Sequence, residues 1–267
     1  MGDTLALYGR LVAASVRAQW QYRISFLLDS VGLFLVTFLD FVAILLIFHA
    51  TPRLGAWSVE EVAFLYGTSG LAFALTDFVV GHLDLFPQTI RDGTFDLVLL
   101  RPRGTLFQVV SADFQLRRIG KATQSGIVLA WSLTALDIPW TAGRVGMVVL
   151  MVVTGTIVFA SVWIFMICIV FWAVEGRETA NAFTYGGQSL TQYPVDVYGR
   201  WLRRLLAYVI PMAFVAYFPA LYVLDKPDPL GLPSWLSFCS PLAAAAAGLG
   251  ASLMWRFAVR HYRSTGS

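Results

Sequence analysis

Histidines, cysteines and acids are the groups with which this chain could do chemistry, and their spacing narrows the choice. His49, His82 and His261 fall in different segments, and Cys168 and Cys239 each sit in an apolar stretch, so no set with metal-ligand spacing forms. A phosphate-binding Gly-x4-Gly-Lys-Ser/Thr loop and a dinucleotide glycine fingerprint are both missing from the chain, so no bound cofactor is expected. No serine lies in a Gly-x-Ser-x-Gly nucleophile elbow. Two acids inside apolar runs remain. Asp40 is deep in the first hydrophobic segment, where a charge costs at least ~2.5–3.5 kcal/mol, so it should face protein or water. It reads either as a pathway group or as an acid hydrogen-bonded to a neighbouring helix. Asp77, near the end of the second segment, can snorkel towards water. Pro211 and Pro219 can bend the fifth segment. These four residues are the candidate substrate path.

The elements that must position them are membrane spans. The chain has 267 residues, 58% hydrophobic and 13% charged, against about 25% charged in a soluble domain. Mean hydropathy is +0.69. Lipid must cover much of that apolar surface. The expected fold is all-α: one polytopic transmembrane domain over 1–267 with six helices at about 26–49, 58–81, 119–137, 145–174, 205–224 and 238–258. Gly67, Ser69 and Gly70, and the small-residue run 243–251, suit close helix packing. Residues 145–174 carry no charge, and about 45 Å of helix exceeds the ~30 Å hydrocarbon core, so this span must tilt or protrude. Ahead of the first span, Leu5, Tyr8, Val12, Val16 and Trp20 share one face of residues 4–24, with Arg10 and Arg17 on the other. That pattern predicts an amphipathic interfacial helix (1–25) rather than a cleavable signal. Residues 105–118 read as a further helix starting in the interface.

Charge sets the expected orientation. Of 19 Lys and Arg, all but Arg53, Arg144 and Lys226 fall on one side of this six-span arrangement, with 175–204 on the basic side. Positive residues stay inside. Both termini and the 83–104 connection are therefore expected in the cytoplasm, in a multi-pass protein of the cytoplasmic membrane. Cys168 and Cys239 then lie near opposite faces, and no disulfide is expected between them.

The connection at 83–104 mixes charges, apolar residues and turn signals. Pro87 can open a short helix and Gly93 can close it. Thr94 can cap a second short turn, which Arg101 and Pro102 end. The result is a compact elbow carrying Ile90, Phe95, Leu97, Val98, Leu99 and Leu100 outside the bilayer. Such side chains usually rest on a protein; in the alternative, Arg91, Asp92 and Asp96 form a solvated turn and Leu97–Leu100 dip into the interface.

The stretches FPQTIRDGTFDLVLLRPRGTLFQ and QYPVDVYGRWLRRLLAYVIPMAFVAYFPALYVL resemble the ABC-2 type exporter permeases of the bacterial six-span branch. The first family signature falls on Gly93, Phe95, Asp96, Leu99, Arg101 and Pro102. The second falls on Tyr193, Pro194, Pro211 and Pro219. The resemblance implies a non-catalytic export permease for a drug, antibiotic, lipid or glycan. Its partners would be two copies of an ATP-binding subunit, which hold the ATP and Mg, and a second permease, identical or a sister. The elbow would be the coupling helix seated on the ATPase, built on Pro87, Ile90, Arg91, Asp92, Gly93, Phe95, Asp96, Leu99, Arg101 and Pro102. A membrane enzyme acting on lipid and an ion-driven carrier using Asp40 are the alternatives.

Overall fold

The structure, a computed structural model, describes residues 9, 13–21, 23–112, 115–173, 176–228 and 231–263. It is helical, with a single isolated bridge, Leu54 to Trp57, among the described residues. Of the expected interfacial helix, residues 1–8, 10–12 and 22 lie outside the described residues. Residues 13–20 are helical, and the Gln19 carboxamide oxygen accepts from the Leu116 amide at 2.8 Å.

Helix α1 (Arg23–Ala50) leads to a tight connection, and α2 (Val59–Val80) returns. A capping box starts α2: the Glu61 amide donates to Ser58 Oγ at 3.4 Å and the Ser58 amide to Glu61 Oε2 at 2.8 Å. Three short helices follow, α3 (Phe86–Arg91), α4 (Phe95–Leu99) and α5 (Thr105–Val110). The expected 105–118 helix is thus broken; its last residues, Leu116–Arg118, are a 3-10 turn into α6 (Ile119–Ala135). Helix α7 (Ala142–Ile167), capped by Thr141, extends through 3-10 geometry to Phe171, and Val174 of the expected 145–174 span lies outside the described residues. Next come α8 (Arg177–Thr191), α9 (Arg200–Arg204), α10 (Tyr217–Val223) and α11 (Ser240–Arg260).

Helix α2 is the centre of the bundle. Every residue from Val62 to Gly70 is buried, on all faces, as a helix surrounded by other helices requires. Glycine lets its neighbours approach. A Cβ on Gly67 would lie 2.7 Å from the Leu129 amide of α6, and one on Gly120 of α6 would run into the Ser30 carbonyl of α1. Small residues of α11 face α7 through Ala244, Gly248 and Ala251. A Gly120→Leu change therefore forces α1 off α6. Overpacking typically costs about 1–3 kcal/mol, and the clash here is with main chain, so a cost at the upper end is expected, read as a lowered thermal midpoint of the purified protein in detergent.

The fifth expected span differs. Residues 205–224 are not one helix but a π turn (Leu205–Val209), a 3-10 turn (Pro211–Phe214) and α10, bent by 71° at the break. Pro211 opens the 3-10 turn. Pro219 sits in the first turn of α10, where no amide is needed, so it bends nothing. The hairpin is inserted among the helices: Gly187 of α8 faces Met212, and Gly155 of α7 faces Val215.

Residues 185–196, the end of α8 and the turn after it, instead run along α2. Tyr185 donates to Asp84 just past the end of α2 at 2.7 Å, Thr191 meets Ser69 in its middle at 2.5 Å, and Asp196 accepts from Trp57 Nε1 before its start at 3.0 Å. These pairs order residues 185–196 antiparallel to α2. The stretch 175–204, expected beside the elbow, thus has its last third at the opposite, Trp57 end, where the Arg203 guanidinium donates to the Asp196 carbonyl. Among the described residues, four helices are long and apolar enough to cross a membrane, or five with the bent pair; α6 has 17 residues, and α8 falls outside both sets.

Candidate functional site

The elbow is two short helices folded on a glycine. Pro87 occupies the first turn of α3, where its missing amide costs nothing. After Arg91 the chain reverses at Gly93, whose φ is +66° and whose amide donates to the Ile90 carbonyl at 3.2 Å. A Cβ at Gly93 would meet nothing within 4 Å, so the requirement is conformational. A left-handed residue with a side chain costs about 1–2 kcal/mol, and Gly93→Ala should lower stability by that amount in a thermal melt. Thr94 stands at the start of α4 but caps nothing there; its hydroxyl donates backwards to the Thr89 carbonyl at 3.2 Å and ties the two helices together. Gln108 of α5 fixes the far end, its amide donating to the Val98 and Arg103 carbonyls at 3.1 and 2.9 Å.

Inside this fold the aromatic residues form a brace. Phe86 and Phe95 are fully buried, with ring centroids 5.4 Å apart. Phe95 lies 5.5 Å from Phe171 at the end of α7 and 5.0 Å from Tyr262 after α11. Trp255 of α11 packs 5.3 Å from Phe86, and its indole donates to the Thr105 hydroxyl at 3.0 Å. Three segments far apart in sequence, the elbow, the end of α7 and the end of α11, thus meet here. Edge-to-face pairs of this kind add about 0.5–1.5 kcal/mol each beyond burial.

The brace sorts the expected site residues into two groups. Ile90 and Phe95 were expected to rest on a partner; both are buried against their own chain. Pro87 is buried too. Facing out are Arg91, Asp92, Leu97, Leu99, Arg101 and Pro102, with Leu100 the most exposed at 81%. Gly93 and Asp96 are half-buried. Helices of five or six residues are too short for periodicity to assign a face, which is why the sequence did not separate the two groups.

A charged knot sits at the root of the elbow. Asp77, expected to snorkel, is buried and bound on both oxygens: Arg118 Nε lies 3.2 Å from Oδ1 and Lys121 Nζ 3.5 Å from Oδ2. Arg118 also donates to the Asp77 carbonyl. Lys121 stands over the faces of Phe73 and Tyr185, at 5.0 and 5.7 Å. A Cβ on Gly81 would take the space of the Asp77 carboxylate and the Arg118 guanidinium. The knot locks α2, α6 and α8 where the elbow begins. Arg118 and Lys121 are 41 and 44 residues from Asp77, so local spacing carried no signal of the pairing.

Of the other expected path residues, Asp40 is exposed in mid-helix on α1, and Pro211 and Pro219 belong to the inserted hairpin. Asp40, Asp77 and the two prolines are not gathered into one site.

Residues 34–266 match the family model described as ABC-2 family transporter protein. The chain belongs to the ABC-2 transporter family. No curated protein and no solved structure matches it. As an ABC-2 permease it is a transmembrane transport subunit, and its braced elbow exposes Leu97, Leu99 and Leu100.

Proposed function

We propose that this permease is the membrane half of an ATP-driven exporter. It moves a hydrophobic or amphipathic substrate across the cytoplasmic membrane, using ATP hydrolysed with Mg by two separate subunits, and it works with a second permease, identical or a sister. The observation that carries this reading is the elbow's division of labour. Its inner face is pinned by Phe86, Phe95, Phe171, Trp255 and Tyr262, while its outer edge presents Leu97, Leu99 and Leu100 beside Arg91, Arg101 and Arg103. A stiff apolar edge ringed by charge is suited to a groove on a soluble partner. A push on that edge reaches α7, α11 and, through Asp77, Arg118 and Lys121, α2 and α6.

The elbow and the end of α11 face the cytoplasm in this reading, because Arg91, Arg101, Arg103, Arg117, Arg118, Arg256 and Arg260 cluster there. The chain crosses six times, by α1, α2, α6, α7, α8 and α11, with 200–223 as a hairpin entering from the opposite face. A polar fifth crossing is tolerable because Thr184, Gly187 and Thr191 of α8 are buried against protein. Arg200, Arg203 and Arg204 then lie outside, and the charge bias weakens without reversing.

The test is capture. Leu97→Asp and Leu100→Asp together should abolish co-purification of an ATP-binding protein, detected with a photoreactive ATP analogue, while the permease itself keeps its melting behaviour. Undiminished capture would count against the elbow as the docking edge.

A further inference from the structure

Two cavities adjoin at the root of the elbow, beside the start of α1. One, of about 610 Å³, is walled by α1, the end of α2, the Leu116–Arg118 turn, the start of α6 and α8. The other, of about 430 Å³, lies between α1 and residues 18–19 ahead of it. Asp29, Gln115 and Arg117 line both. Openings of this size hold small ligands.

The charges around the larger cavity balance, but they are not all paired. Asp29, Asp77 and Asp84 face Arg117, Arg118 and Lys121. The knot sets Asp77 against Arg118 and Lys121 and leaves one positive charge over. Asp84 accepts from Tyr185 on one oxygen, while its Oδ1 is buried with no hydrogen-bond partner among the described residues. Asp29 and Arg117 border the same space, yet among the described residues neither forms a salt bridge. Gln115 holds the Arg117 guanidinium instead, accepting from Nε and Nη2 at 3.1 and 2.8 Å. A purely anionic ligand would meet three carboxylates here, and a purely cationic one three bases. Opposite charges held apart across a cavity suit a ligand that carries both signs.

The surroundings suit a lipid. Asp29 lies six residues into α1 from Arg23, about 9 Å along its axis. In the orientation proposed above, that is the cytoplasmic head-group level. Leu28 and Leu33 border the cavity, and Leu35, Val36 and Leu39 continue exposed along α1, where acyl chains can lie. Arginine grips phosphate with two parallel N–H bonds, and a carboxylate accepts from a primary ammonium. Choline has no N–H and is bound by aromatic cages, and the Tyr185 face here is already covered by Lys121.

We infer that this cavity binds the phosphoethanolamine head of an inner-leaflet phospholipid, with its phosphate on Arg117 and its ammonium on Asp29. The site goes beyond the permease reading: it needs the orientation but no ATPase, so the permease alone tests it. The full-length protein is purified, exposed to equal parts of dioleoyl phosphatidylethanolamine, phosphatidylglycerol and phosphatidylcholine in mixed micelles, and its retained lipid is counted by native mass spectrometry. The wild type should retain phosphatidylethanolamine about tenfold over the other two. Asp29→Asn should abolish that preference, and Asp29→Glu should keep most of it. Arg117→Gln should lower retention of phosphatidylethanolamine and phosphatidylglycerol alike. Both residues are exposed, so all three variants should melt as the wild type does. Retention of phosphatidylglycerol over phosphatidylethanolamine would mean a plain anion site and would overturn the inference. So would equal retention of all three lipids, no retained lipid, or an unchanged preference in Asp29→Asn. Displacement of the lipid by water-soluble glycerophosphoethanolamine would also overturn it, by assigning the cavity to a soluble phosphate ester.

Discussion

Replacing Phe95 with alanine will uncouple the permease while leaving its helix bundle assembled. The ring is fully buried and touches Phe86, Phe171 and Tyr262. Truncating a buried Phe costs about 3–5 kcal/mol where the site cannot collapse. Here the surrounding rings are large and held by three other segments, so little collapse is available. The loss falls on the elbow, because the α2, α6 and α7 contacts do not pass through Phe95. ATP-driven transport should drop at least tenfold, and proteolysis should cut first between Gly93 and Gly104. Phe95→Lys should be worse, since its ammonium would enter an apolar pocket. Phe95→Leu should retain most of the coupling. Transport by Phe95→Ala equal to wild type would show that the brace does not transmit force.

Asp77→Ala should be comparably damaging for a different reason. It strands two cations: the side chains of Arg118 and Lys121 are 8% and 16% exposed. Breaking a buried pair by removing one partner costs about 3–5 kcal/mol, because the remaining charge keeps its desolvation cost. Two features moderate the loss. The Asp77 carbonyl still accepts from Arg118, and Lys121 still has two ring faces. A cost near 3 kcal/mol is therefore expected, with Asp77→Asn milder because it keeps acceptors. The measurement is the melting temperature of the purified protein for the alanine and asparagine variants. A melt for Asp77→Ala within experimental error of wild type would mean the knot holds nothing together.

What the sequence made visible, and what it hid, follows from which interactions are local. Pro87, Gly93 and Pro102 punctuate 83–104, and each acts within a turn, so the elbow's outline could be read directly. The four long apolar helices could be read for a similar reason, since hydropathy over a membrane length is a local property of the sequence, whether lipid or, for α2, other helices cover it. The placement of α8 could not. Its sequence, RETANAFTYGGQSLT, is polar, and it meets the bundle through one face, with Ala180, Thr184, Gly187 and Thr191 buried; Thr191 pairs with Ser69 and Tyr185 with Asp84. The stretch 205–224 is apolar because it is buried, as a segment bent by 71° between α7 and α8. Likewise Phe95 looked like a contact for a partner, because its contacts at Phe171 and Tyr262 are distant in sequence.

The central claim is that the edge of the elbow rests on an ATP-binding subunit. The most direct test is a cysteine cross-link from native membranes. Leu100→Cys, exposed at the edge, should form a short-span cross-link to a protein that photolabels with an ATP analogue. Trp235→Cys, also exposed but at the other end of the bundle, should form none. Labelling of Leu100→Cys by a membrane-impermeant reagent added outside intact cells, or cross-links to lipid headgroups alone, would contradict the account.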